Sequence, residues 1–225
     1  MGSKSRSEAR KGDLRYVLAV RPGSFTAWST AFINACGHVA NGEFSLAKEL
    51  LNSVDGRAIS LWFDYTAQNA GRDRAVVIGL LGRSGGGKKS TQPRDSQRMP
   101  HDATQSRVLA RDRYRCRYCR QAVLPAGTLQ TVSSKTGVNL NKAKTNLETH
   151  GLYWLHCASI DHVIPHAQSG RSVETNLVVS CKACQFGKSW YTLNQLGLNL
   201  RLPAPDLSTP FGKWSKTVVA LASLK

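Results

Sequence analysis

The sequence lacks any apolar run near the ~18 residues that a membrane span needs. Its best candidate, Ala75 to Leu81, is long enough only for a buried strand. The opening Met1-Gly2-Ser3-Lys4-Ser5-Arg6 has charge but no apolar core, which argues against a signal peptide. Arg6 also stands where myristoylation needs Ser or Thr. Acidic residues are scarce: 14 Asp and Glu face 31 Lys and Arg, a net charge of +17. That imbalance points to a polyanionic partner, most often a nucleic acid and less often an anionic membrane surface. Without a secretion signal the expected compartment is cytoplasmic, and the six cysteines are expected as thiols or metal ligands rather than disulfides.

What is present divides unevenly. Leu14 to Val20 reads as a strand ended by Pro22 and Gly23, and Phe25 to Val39 as a mostly buried helix with Ser24 as its N-cap. Leu46, Leu50, Leu51 and Val54 recur at helical spacing, with Gly56 as the stop. Ile59 to Tyr65 and Ala75 to Leu81 fit either a strand or a buried helix. Gly82 to Pro100 has the composition of a linker, and basic residues dominate from Arg83 to Arg120, as in a strap that tracks a phosphate backbone. Gly82 to Lys89 nearly spells a phosphate-binding loop. It has Lys89 where that loop needs Ser or Thr, so no nucleotide cofactor is expected.

Two CxxC pairs, Cys116/Cys119 and Cys181/Cys184, can complete a tetrahedral four-sulfur zinc site that staples a whole subdomain. Cys36 and Cys157 read as buried thiols. Between the pairs lies Ser159-Ile160-Asp161-His162-Val163-Ile164-Pro165-His166, followed by a Gly170-Arg171-Ser172 turn and by Thr175-Asn176-Leu177 running into the second pair. Asp161 offers a hard anionic oxygen for a divalent cation such as Mg²⁺. As strand neighbours, Asp161 and His162 are expected on opposite faces, and an imidazole near its normal pKa of ~6.5 suits a general base. His166 fits a spare ligand, a phosphate contact or a surface residue.

From about Val108 to Leu198 this pattern resembles the HNH endonucleases, the ββα-metal nuclease fold with a four-cysteine zinc. The resemblance implies a nuclease domain over 105–200 in an α+β chain. The residues themselves set around it an accessory module over 1–82, a small α+β unit that resembles no known family, a basic linker over 83–104, and a C-terminal extension over 201–225, helical from Lys213 to Leu224. The resemblance also implies a DNA-hydrolysing enzyme leaving a 5′ phosphate and a 3′ hydroxyl. His162 would be the base, and Asn176 would fix the loop that carries it. Asp161 and Gln185 would hold a catalytic Mg²⁺ or Mn²⁺. Relatives usually carry Asn or His at the position of Gln185, whose carbonyl sits one methylene further out. Arg113, Arg115, Arg171 and Lys188 are candidate nucleic-acid contacts. Thr128 to His150 reads as an insertion, a DNA-contacting flap, and Trp190, Tyr191, Leu193, Leu196 and Leu198 as a core-facing helical stripe.

The expected role is restriction or another anti-phage defence, with a defence partner protein as a possible companion and no membrane association. Two rivals stand beside it: a non-catalytic zinc-stabilised nucleic-acid-binding module, and a toxin-type nuclease masked by an acidic immunity partner.

Overall fold

The computed structural model describes residues 22–65, 96–196 and 198–224. The strand expected at Leu14 to Val20, the segment Ala75 to Leu81 and the near phosphate loop all lie outside them. The first described helix, α1, is Ser24–Ala40, and Phe25, Phe32, Cys36 and Val39 form its buried stripe. Ser24 is its first residue rather than its cap; Gly23 takes the cap position. Helix α2 is Phe44–Asn52. Gly56 does not close it but opens the next helix, α3, over 56–65, which resolves Ile59 to Tyr65 as helix.

Helix α4, Asp102–Arg111, leads into the first CxxC turn, where Arg113, Tyr114 and Arg120 take left-handed backbone angles. Helix α5 is Ala126–Thr136, closed by Gly137 at φ 71°, and α6 is Gly151–His156. Strand β1, Ala158–His162, pairs antiparallel with β2, Leu177–Cys181, aligning Asp161 with Val178 and His162 with Leu177. Helix α7, Lys182–Lys188, follows β2 directly, giving two strands and a helix around one site. A turn of helix α8 at Leu193–Leu196 and a small hairpin, β3 Ser208–Thr209 and β4 Gly212–Lys213, lead to α9, Trp214–Ala222.

The expected flap is scaffold instead. Leu129, Val132 and Leu140 are fully or almost fully buried, and α5 packs against α1, α2 and α9. Lys135 stands on this helix, while Lys142, Lys144 and the asparagines lie in the turns that follow it. One continuous apolar core joins Phe32 and Leu51 of the N-terminal helices to Leu124, Trp154, Val179 and Trp214. Close approach of α3 and α6 depends on Gly151: a Cβ there would fall 2.2 Å from the Ile59 Cβ and 2.6 Å from the Gly56 carbonyl oxygen. Burying such a core is the main stabilising term for the fold. Among the described residues no helix is long and apolar enough to cross a membrane.

Candidate active site

The four cysteines converge. Cys116 donates its own amide to the Gln121 carbonyl at 2.8 Å, and Cys181 ends β2 and caps α7, its sulfur accepting from the Cys184 amide at 3.4 Å. All four sulfurs lie within 4.8 Å of one another. A zinc–sulfur bond of ~2.3 Å in a tetrahedron places its sulfurs about 3.8 Å apart, and the Cys119 and Cys181 sulfurs are 3.8 Å apart. The donor set fits a four-sulfur zinc. Cys36 and Cys157 are fully buried and stand outside the cluster.

This knuckle is anchored to β2 by a buried carboxylate. Asp112, fully buried, accepts from the Val179 amide at 2.9 Å, from Arg117 at 2.8 Å and from both arms of Arg111. Arg111 also donates to the Leu177 carbonyl. Several arginines around this knuckle donate to backbone carbonyls. Arg113 and Arg115 donate to the carbonyls of Ala204 and Pro205, with Arg115 also forked onto the Arg120 carbonyl, and neither lines the cleft. Arg107 pairs with Glu174.

At the end of β1, a cleft of about 540 Å³ is bordered by Asp161, His162, His166, Gln185 and Arg98. Although neighbours on a strand, Asp161 and His162 both reach it. His162 is buried, and its Nε2 lies 2.9 Å from the Ser172 hydroxyl. Burial pushes the His162 pKa below the ordinary imidazole value; His166, Lys188 and Arg98 act in the same sense, and the Asp161 charge opposes them. The ring is thus neutral at pH 7, with a lone pair available. The His166 ring stands 5.9 Å away.

Asn176 clips the loop after His162. Its amide oxygen accepts from the Ile164 amide at 2.9 Å, and its amide nitrogen donates to the carbonyls of Ile164 and Arg171. Gly170 makes the clip possible: a Cβ there would lie 1.7 Å from the Ile164 oxygen and 2.9 Å from the Asn176 nitrogen. Arg171 is exposed at the edge of this loop.

Lys188 departs most from expectation. It is fully buried. Its ammonium donates to the His162 carbonyl at 2.7 Å and pairs with Asp161 Oδ2 at 3.2 Å. Burial lowers its pKa and the Asp161 carboxylate holds it up. The same Oδ2 accepts from the Tyr118 hydroxyl at 2.6 Å. Burial and the Asp161 charge push Tyr118 well above the ordinary phenol range, so it remains a donor. Tyr118 and Ser172 were not singled out from the sequence. The only trace of Tyr118 was its place inside the first CxxC, and of Ser172 its place in the Gly-Arg-Ser turn.

The family model of HNH endonucleases matches residues 145–187. That span carries α6, β1, β2, nearly all of α7, the second CxxC and every cleft residue named above except Arg98. An HNH nuclease domain of the α+β class is therefore present. Neither a curated protein nor a solved structure matches the chain.

Magnesium commonly binds through one or two carboxylates, with waters and substrate phosphates filling its shell. Asp161 and Gln185 border one cleft and offer oxygen only, so they fit such an ion provided water and phosphate complete it. Among the described residues the four cysteines are the sole cluster of three or more His, Cys, Asp or Glu suited to a metal.

Proposed function

We propose that the chain is a metal-dependent endonuclease that hydrolyses DNA phosphodiester bonds, with His162 as general base. The observation that carries this reading is a neutral, partly buried imidazole, oriented by Ser172, beside Asp161 and Gln185 in one cleft within the HNH-matching span. His162 removes a proton from a water, the water oxygen bonds to phosphorus, and the bond from phosphorus to the 3′ oxygen breaks. The products are a 5′ phosphate and a 3′ hydroxyl, the latter taking its proton from solvent. A divalent cation held by Asp161 and Gln185 would neutralise charge on the scissile phosphate. Asn176 positions the His162 loop by its three hydrogen bonds, and the +17 charge draws in the polyanion. A role in restriction or anti-phage defence, in the cytoplasm, extends the same proposal.

Supercoiled plasmid incubated with the protein in Mg²⁺, Mn²⁺, Ni²⁺ or EDTA tests it. Nicked or linear product with metal and intact plasmid with EDTA are expected. A second reading, binding without cleavage, draws on the Tyr118 and Lys188 contacts that already occupy one Asp161 oxygen. Intact plasmid in every metal, with retained DNA binding, is its signature.

A further inference from the structure

The cleft has a second wall that hydrolysis of a phosphate does not use. It is also lined by Met99, Phe186 and Trp190, each about half exposed at 52%, 51% and 53%. The expected core-facing stripe is broken here: Tyr191 and Leu196 turn inward, while Trp190 faces solvent. The cause is local. Helix α7 ends at Ser189, which adopts φ 53° and throws the next side chain outward.

The Phe186 ring is held from behind, and Trp190 is tied through its backbone. Phe186 meets the stacked pair Phe63 and Trp154 edge-on, at 5.5 and 6.0 Å. Trp190 sits 6.2 Å from the buried Tyr191 ring, and its carbonyl accepts from Gln168 at 2.7 Å. Two large aromatic surfaces, half exposed yet fixed, are costly to leave in water, and such patches mark binding sites. The space they flank falls within the ~300–1,000 Å³ of ligand pockets. Arg98 borders the same space and supplies the positive charge that suits a nucleotide.

We propose that Trp190 and Phe186 form a nucleobase subsite that stacks one base of the strand being cut, next to the phosphate facing His162. This rests on the nuclease reading and deepens it. In a duplex both faces of a base are covered by its neighbours, so only an unpaired or opened nucleotide can offer its face to Trp190. The subsite therefore selects single-stranded or locally opened DNA. Stacking on an aromatic side chain is tolerant of sequence, so selection is by strand state rather than by base.

The test uses Trp190→Ala and Trp190→Phe in the full chain, assayed on a single-stranded oligonucleotide and on its duplex. Wild type is expected to favour the single strand. Trp190→Ala should lose roughly 5- to 150-fold in kcat/KM on the single strand, the range for one base–aromatic stack, with a change below about threefold on the duplex. Trp190→Phe should recover most of the loss. Equal losses on both substrates, or no loss on the single strand, overturn the subsite. Affinity is measured in parallel by fluorescence anisotropy with no added divalent metal. If wild type cuts neither substrate the nuclease reading falls, and the binding assay still decides the subsite: weaker single-strand binding by Trp190→Ala, restored in Trp190→Phe, upholds it, and unchanged binding removes it.

Discussion

The hydroxyl of Ser172 lies 2.9 Å from Nε2 of His162, and the same oxygen hydrogen-bonds the carbonyls of Gln97 and Arg98. Carbonyls only accept, so the hydroxyl proton goes to one of them. Nε2 must then donate to Ser172, which fixes the tautomer and leaves the lone pair on Nδ1. Ser172→Ala removes that orientation. It should lower kcat about tenfold, the worth of one hydrogen bond of ~1.4 kcal/mol, with KM little changed. Ser172→Thr should retain most of the rate. Steady-state cleavage kinetics of the two variants check this.

His162→Ala should cost about 10²–10⁴-fold in cleavage rate, as for loss of a general base, while DNA affinity stays within a few-fold. The pH dependence follows from the depressed imidazole pKa. The base form is lost as pH falls through a value below ~6.5, so the rate should rise with pH with its midpoint below ~6.5. A midpoint above that value contradicts the assignment and turns attention to His166.

Removing a cysteine of the cluster should unfold the protein rather than slow it. Zinc binding supplies folding free energy directly, and the second pair is built into the end of β2 and the start of α7. Cys116→Ser and Cys184→Ser should lower the melting temperature sharply, and elemental analysis of wild type should give one zinc per chain. A chain equally stable after chelation speaks against the site.

Gln185→Ala should demand more divalent metal and cleave more slowly, with zinc content unchanged because Cys184 keeps its place. Gln185→Asn should keep or raise activity. Mn²⁺ should support at least as much activity as Mg²⁺, because magnesium holds more strictly to octahedral geometry at ~2.0–2.1 Å. Metal titrations of cleavage rate decide the matter: an unchanged midpoint and rate in Gln185→Ala leave Asp161 and phosphate as the only ligands.

The chemistry-bearing residues were legible because they are local. The spacing of Cys116 to Cys119 and of Cys181 to Cys184, and the run Asp161 to Pro165, announce themselves in sequence. Their partners are not local. The Tyr118–Asp161 bond forms only once the zinc knuckle folds against β1, and the burial of Lys188 depends on α7 lying beneath that strand. Nothing in the composition of Lys188 or Arg115 separates an internal clip from a phosphate contact. Likewise the Lys- and Asn-rich stretch around Leu129, Val132 and Leu140 conceals three core residues. The exposure of Trp190 turns on the backbone of one serine, which residue type does not foretell.

Helix α9 packs on both α1 and α5, so the first described helix is covered by the last. Phe25 and Phe32 meet Trp62 and His156 as well, so a chain leaving the ribosome covers the apolar stripe of α1 in stages, with Trp214–Ala222 the last described element to reach it. Incomplete products are then sticky intermediates, open to chaperones and proteases, rather than partial nucleases. A core shared between the first and last described helices cannot close until both have been synthesised.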